Sequence, residues 1–157
     1  MFREIRRKDR LVSSEMGIDL LKKGVYGVLS VLGDDDYPYG VPVNYAYKDN
    51  RIYIHGFLDG HKIDAVRKHP KVCFTVVGGT EVLVEEVATR FISVIAFGKA
   101  EVVPPPESAA RKEAFKAIMD KFIPDEEERA AKYIKENQDN TNAIVIEIEH
   151  MTCKQRA

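Results

Sequence analysis

Apolar positions along the chain follow two rhythms. Through the first two thirds they come in short runs or alternate with polar residues, the period of strands. Val25-Tyr-Gly-Val-Leu-Ser-Val-Leu32 predicts a strand, and Gly33-Asp-Asp-Asp36 predicts a turn by composition. Residues 38–47 form the next strand, 48–50 a turn and 51–55 a third strand, which together make a β-meander. Further strands are expected at 72–77, ended by Gly78-Gly79, at 90–103, broken by Pro104-Pro-Pro106, and at 144–148, where Ile144, Ile146 and Ile148 alternate. Residues 81–86 read as an acidic, mobile loop.

The helical rhythm is confined to four stretches. Residues 14–23 predict a helix capped by Ser14, with Gly24 at its C′ position. A short helix over 62–68 stops before Pro70. Phe115, Ile118, Met119 and Phe122 recur at helical spacing and predict a helix over 107–122. Pro124 separates it from a last helix, begun by the acidic 125–128 and striped by Ala130, Tyr133 and Ile134. Residues 1–12 form an arm, and His150 falls in a tail beyond the last strand. The expected fold is mainly β: a single domain over residues 1–157 holding a six-stranded antiparallel barrel with peripheral helices.

Composition changes this picture little. At 157 residues, 45% apolar and 31% charged, the chain has the make-up of a globular protein with a sizeable core. A net charge of −1 argues against a non-specific nucleic-acid binder, which would carry a basic excess. No run approaches the roughly 20 apolar residues of a membrane span, and the charged N-terminus leads into no signal core. The expected location is the cytoplasm, with no membrane or nucleic-acid partner. Cys73 and Cys153 lack a CxxC partner and read as reduced thiols, Cys73 in the core.

Candidate chemistry concentrates in Ile52-Tyr-Ile-His-Gly-Phe-Leu-Asp-Gly-His-Lys62. Two glycines bracket a loop that delivers His61 and Lys62 to a helix start. Free N–H groups, a positive dipole and a lysine there suit phosphate. GxxxxGK[ST] and GxGxxG are both absent, so neither a Walker loop nor a Rossmann turn is present. In the preceding strand Val41, Val43, Tyr45 and Tyr47 share a bulky face, while Gly40, Pro42, Asn44 and Ala46 share a small one. The small face leaves room for a flat ligand; an edge strand whose Pro42 blocks further pairing reads equally well. His55 lines a ligand pocket or is a plain strand-end histidine, and Lys62 alone would be a solvated surface lysine. His55, His61, Asp59 and Asp64 match no metal-ligand spacing, so no metal site is expected. No nucleophile elbow or carboxylate pair stands out, which points to imported reactivity in an organic cofactor.

These residues resemble the FMN-binding split-barrel flavoproteins related to pyridoxamine-phosphate oxidase, most of all the Nim-type nitroimidazole-resistance group. The matching pieces are Arg6-Arg7-Lys8-Asp9-Arg10, Tyr26-Gly-Val-Leu29, Tyr37-Pro-Tyr-Gly-Val-Pro-Val-Asn-Tyr45 and the segment ending at Lys62. Pro70-Lys-Val72, Ser93-Val-Ile-Ala-Phe-Gly-Lys99 and Met151-Thr-Cys-Lys154 follow in order. The resemblance implies a split β-barrel homodimer with FMN at the subunit interface. It implies that Val41, Pro42, Val43 and Asn44 lie along the flavin, that His55 and Gly56 border it, and that His61 and Lys62 hold its phosphate. Ser93 would approach from the side of the ring or the partner subunit. His55 would be the catalytic residue, facing the flavin in reduction of a small acceptor such as a nitroaromatic, with NADH or NADPH as electron donor. The Trp-rich C-terminal substrate motif of pyridoxamine-phosphate oxidase itself is missing, which speaks against vitamin B6 oxidation: this chain has no Trp. Three other readings compete with the reductase: a non-catalytic flavin-binding or redox-sensing module, a haem-binding split barrel with His55 or His61 as axial ligand, and a partner-binding domain.

Overall fold

The computed structural model describes residues 2–105 and 108–157. Glu107, the expected first residue of the third helix, lies outside the described residues, as do Met1 and Pro106. In chain order the elements are α1 (Ser14–Lys23), β1 (Tyr26–Leu32), β2 (Pro38–Asn44), β3 (Ala46–Lys48), β4 (Arg51–Phe57), α2 (His61–Lys68), β5 (Lys71–Leu83) and β6 (Ala88–Val103). They continue with α3 (Ala109–Phe122), α4 (Glu127–Asn137) and β7 (Thr141–Arg156). All neighbouring strands are antiparallel, in the order β2-β1-β5-β6-β7-β4-β3. The sheet is open, with β2 and β3 at its edges: a mainly β, antiparallel split barrel with four α-helices among the described residues.

Among the described residues the strands number seven rather than six, because residues 38–47 do not run straight. Tyr45 and Ala46 are consecutive yet both buried, against different apolar clusters. That forces the chain to turn between β2, which pairs with β1, and β3, which pairs with β4. Tyr45 anchors the break with its ring edge-on to Phe74 at 4.9 Å. Ala46 is therefore core, not part of a small ligand-facing surface.

Other boundaries moved for local reasons. Ser13, not Ser14, caps α1, accepting from the Met16 N–H at 3.4 Å. Gly24 is extended rather than left-handed. β5 passes Gly78-Gly79 through a register shift and runs to Leu83, so the acidic stretch is the end of a β5–β6 hairpin, not a free loop. β7 extends to Arg156, which places His150 inside a strand. The arm docks on that strand, with Leu11 bridged to Lys154 and the Val12 N–H donating to the Cys153 carbonyl at 3.3 Å. Cys73 is half-buried; Cys153 is the buried cysteine.

Two cores share β4. Ile52 and Ile54 join Leu29, Phe74, Val94, Ile144 and Ile146 inside the barrel. Tyr53, between them in sequence, joins Phe115, Ile118 and Met119 of α3 on the other side. Burial of both strand faces explains the uninterrupted apolar run Ile52-Tyr-Ile54. Each such side chain contributes roughly 1.5–3 kcal/mol on burial. Arg111 pins α3 from beneath. Its buried guanidinium donates to the carbonyls of Val103 and Gln138 and lies 4.7 Å from the centre of the Phe115 ring.

Candidate functional site

The loop after β4 and the start of α2 form a cradle. Gly60 adopts φ 115°, a conformation that only glycine takes without strain, and turns the chain into α2. Its carbonyl accepts from the N–H groups of Ile63 and Asp64 at 2.8 and 3.2 Å. The His61 and Lys62 amides precede these first helical bonds, and α2 has no side-chain cap. Lys62 folds back over β4: a Cβ on Gly56 would stand 3.2 Å from Lys62 Cε and 3.4 Å from Nζ. The absence of a side chain at position 56 leaves the space that the ammonium overlooks. Among the described residues, Lys62 Nζ has no carboxylate partner.

His61 is held differently. Its ring stacks on Tyr39 with centroids 4.2 Å apart and planes 17° apart. Its Nε2 accepts from the Asp34 N–H at 3.3 Å and lies 3.7 Å from the Asp34 carboxylate. His61 thus clamps α2 to the turn before β2, a role its sequence position did not suggest. Tyr39 and Asp34 are the residues that sequence reasoning missed. Tyr39 stood in the quoted motif without a role, and nothing in the spacing linked it to position 61.

The expected cofactor-binding residues divide between several surfaces. Val41 and Val43 are half-buried and turn toward the barrel core, whereas Pro42 and Asn44 are exposed on the opposite face of β2. The Asn44 amide donates to the Val25 carbonyl at 3.1 Å, so its N–H is committed to holding the start of β1. Ser93 lies on β6 between Val77 and Lys154, at the opposite end of β7 from Asn142, the partner of Gly56. One chain therefore brings Gly56 and Lys62 together, with His61 beside them on α2, and leaves Ser93 away from them.

His55 is adjacent to Gly56 in sequence but points the other way. Gly56 faces Lys62, whereas the His55 ring meets Phe115 and Tyr133, each with its centroid 6.5 Å away. It lines a cleft of about 450 Å³ between α3 and α4, with Ile118, Met119, Phe122 and Ile123 as further walls. Burial pushes the His55 imidazole below its ordinary pKa. The unfolded chain then binds a proton that the folded chain resists. Stability from this group is complete above about pH 6.5 and is lost as the pH falls below that value. His55→Gln should flatten this part of the stability–pH curve in thermal melts. Curves for wild type and variant that stay parallel from pH 7.5 to 5 would refute the desolvated placement.

Among the described residues no group of three or more His, Cys, Asp or Glu side chains converges on a metal position, and no helix is long and apolar enough to cross a membrane.

Solved structures that share the fold include the following three. A candidate 5-nitroimidazole antibiotic resistance protein of Bacteroides thetaiotaomicron matches with TM-score 0.75 and 19% identity, over 93% of this chain and 86% of that one. The conserved hypothetical protein Rv2991 of Mycobacterium tuberculosis matches with TM-score 0.80 and 18% identity, over 97% and 90%. An FAD-binding protein of Mesorhizobium loti matches with TM-score 0.69 and 22% identity, over 94% and 96%. At these identities the likeness is one of fold. No curated protein sequence matches the chain. The family model described as pyridoxamine 5′-phosphate oxidase matches residues 13–155, nearly the whole chain. The chain belongs to the pyridoxamine 5′-phosphate oxidase family.

Proposed function

We propose that this protein is an FMN-dependent oxidoreductase that passes electrons from NADH or NADPH to a small acceptor. The observation that carries the reading is the Lys62 ammonium poised over Gly56 at the start of α2. A terminal phosphate suits this donor set: one uncommitted cation, two amides ahead of the first helical bonds, and a space that a Cβ at position 56 would fill. With the Val41 and Val43 side chains turned to the core, the β2 backbone at these residues would border the ring, and His61 would fix the angle of α2 rather than bind phosphate as its main role. FMN, when bound, supplies the electron transfer. The chain supplies position, charge neutralisation and exclusion of water.

Membership of the family and the FAD-binding structural neighbour support a flavin over other phosphorylated ligands. The candidate nitroimidazole-resistance neighbour supports a nitroaromatic acceptor. A homodimer accounts for the outer sheet face. There Pro42, Val28, Thr75, Ile95 and Thr152 form one transverse row of half-buried or exposed side chains, with Ser93 nearby. A second copy laid on this face would cover Ser93.

FMN added to the purified protein is expected to bind saturably, with quenched flavin fluorescence, and NADH or NADPH is expected to bleach the bound flavin. Failure to bind FMN sinks the reading. Binding without turnover on a panel of nitro and quinone acceptors leaves a flavin-binding or redox-sensing module.

A further inference from the structure

The strand β4 separates two compartments. Gly56 opens toward Lys62, and His55, one peptide bond away, opens into the cleft between α3 and α4. At about 450 Å³ the cleft falls within the range of small-molecule pockets. Its lining is apolar apart from the imidazole and the rim. Ile118 and Met119 form the floor, Phe122 and Tyr133 stand at the mouth, each 38% exposed, and the Tyr133 ring is edge-on to His55 at 88°. The rim charges are already engaged: Arg129 with Glu126 at 3.1 Å, and Lys132 with Glu136 at 3.9 Å. No hydrogen bond joins His55 to any other described side chain.

We infer that the α3–α4 cleft is a second small-molecule site, which takes an uncharged, flat aromatic ligand whose single polar group hydrogen-bonds His55. A charged ligand would bury its charge among Ile118, Met119, Phe122 and Ile123 with no free counter-ion. A purely apolar ligand would leave the imidazole desolvated and unpartnered. A neutral imidazole offers one donor and one acceptor, so a hydroxyl, carbonyl or ring nitrogen satisfies it. Phe115 and Tyr133 flank the position with aromatic surface suited to stacked or edge contacts. In this arrangement His55 recognises a ligand on the far side of β4 from the cradle, and does not face a group held by Lys62.

The test compares 2-naphthol, 2-methylnaphthalene and 2-naphthoate as fluorescent probes against the full chain, with and without FMN. Saturable binding of 2-naphthol is expected, about fivefold tighter than 2-methylnaphthalene and tighter still than 2-naphthoate. His55→Phe should erase the preference for naphthol over its methyl analogue. Tyr133→Ala, on the exposed side of α4, should weaken both probes. The ring signals of His55 should shift during the naphthol titration by NMR, which keeps the test decisive should His55→Phe fail to fold. Absence of saturable binding, tighter naphthoate binding, or naphthol binding that leaves the His55 signals unmoved would overturn the inference. So would a Soret band on adding haemin that naphthol abolishes, since the cleft would then be a haem site. Naphthol binding is read without turnover, so loss of FMN binding with naphthol binding retained rejects the flavin reading alone, and the converse result rejects only this one.

Discussion

Lys62→Ala is expected to weaken FMN binding ten- to a hundredfold and to leave the fold unchanged. Charge-assisted hydrogen bonds to phosphate contribute roughly 1.5–3 kcal/mol, and about 1.4 kcal/mol corresponds to one factor of ten. Lys62 is half-buried and pairs with no carboxylate among the described residues, so its removal leaves no orphaned counter-charge. The denaturation midpoint without ligand should stay at the wild-type value. A phosphate-specific loss has a further signature: affinity for riboflavin, which lacks the phosphate, should not change. Titrations of both flavins against wild type and variant decide the matter. Equal FMN affinity in the two proteins would remove Lys62 from the site. A parallel fall in riboflavin affinity would mean that the residue acts on the ring or through the structure of β4.

Gly98→Ala should be the most damaging single-methyl change in the chain. Gly98 sits where the β6–β7 register shifts, between Phe97 opposite His150 and Gly98 opposite Ile148. A Cβ there would press into the Glu147 carbonyl oxygen, with Glu147 C at 3.0 Å and Ile146 Cγ2 at 3.1 Å. The obstacle is backbone, which has no rotamer through which to yield. The two strands must therefore separate, and they carry Val94, Ala96 and Ala100 against Ile144, Ile146 and Ile148 in the main core. A cost of about 3 kcal/mol or more is expected, at the upper end of overpacking effects. Urea denaturation should show a lower midpoint with an unchanged slope. A variant within about 0.5 kcal/mol of wild type, the range typical of surface substitutions, would mean that the bulge relaxes more freely than its packing implies.

Much of the architecture is legible in the periodicity. The alternation of β1 and the clean apolar stripe of α3 survive with boundaries within a few residues. Legibility fails where tertiary packing breaks the local rule. Tyr45 and Ala46 read as the continuation of one strand, because nothing local says that adjacent residues will enter different cores. His150 reads as tail because the polar residues beyond Ile148 disguise a strand that pairs with β6 out to Arg156. At the site, glycine and helix-start chemistry marks Gly56, Gly60 and Lys62 directly. The contacts of His61 are not legible, because its partners, Tyr39 on β2 and Asp34 in the turn before it, lie more than 20 residues away in sequence. The side of β4 on which the His55 ring lies is not legible, because a motif orders residues along a line, whereas a strand sends neighbours to opposite sides.

The open sheet ends in two free edges, and both are poor templates for polymerisation. β3 is only three residues long. β2 carries Pro38 and Pro42, spaced so that their missing N–H groups fall on the same side of the strand. A stray chain that tried to extend the sheet at either border would find too few donors or too short a run to hold it. The barrel can thus remain unclosed between β2 and β3 without the aggregation hazard that an exposed strand ordinarily brings.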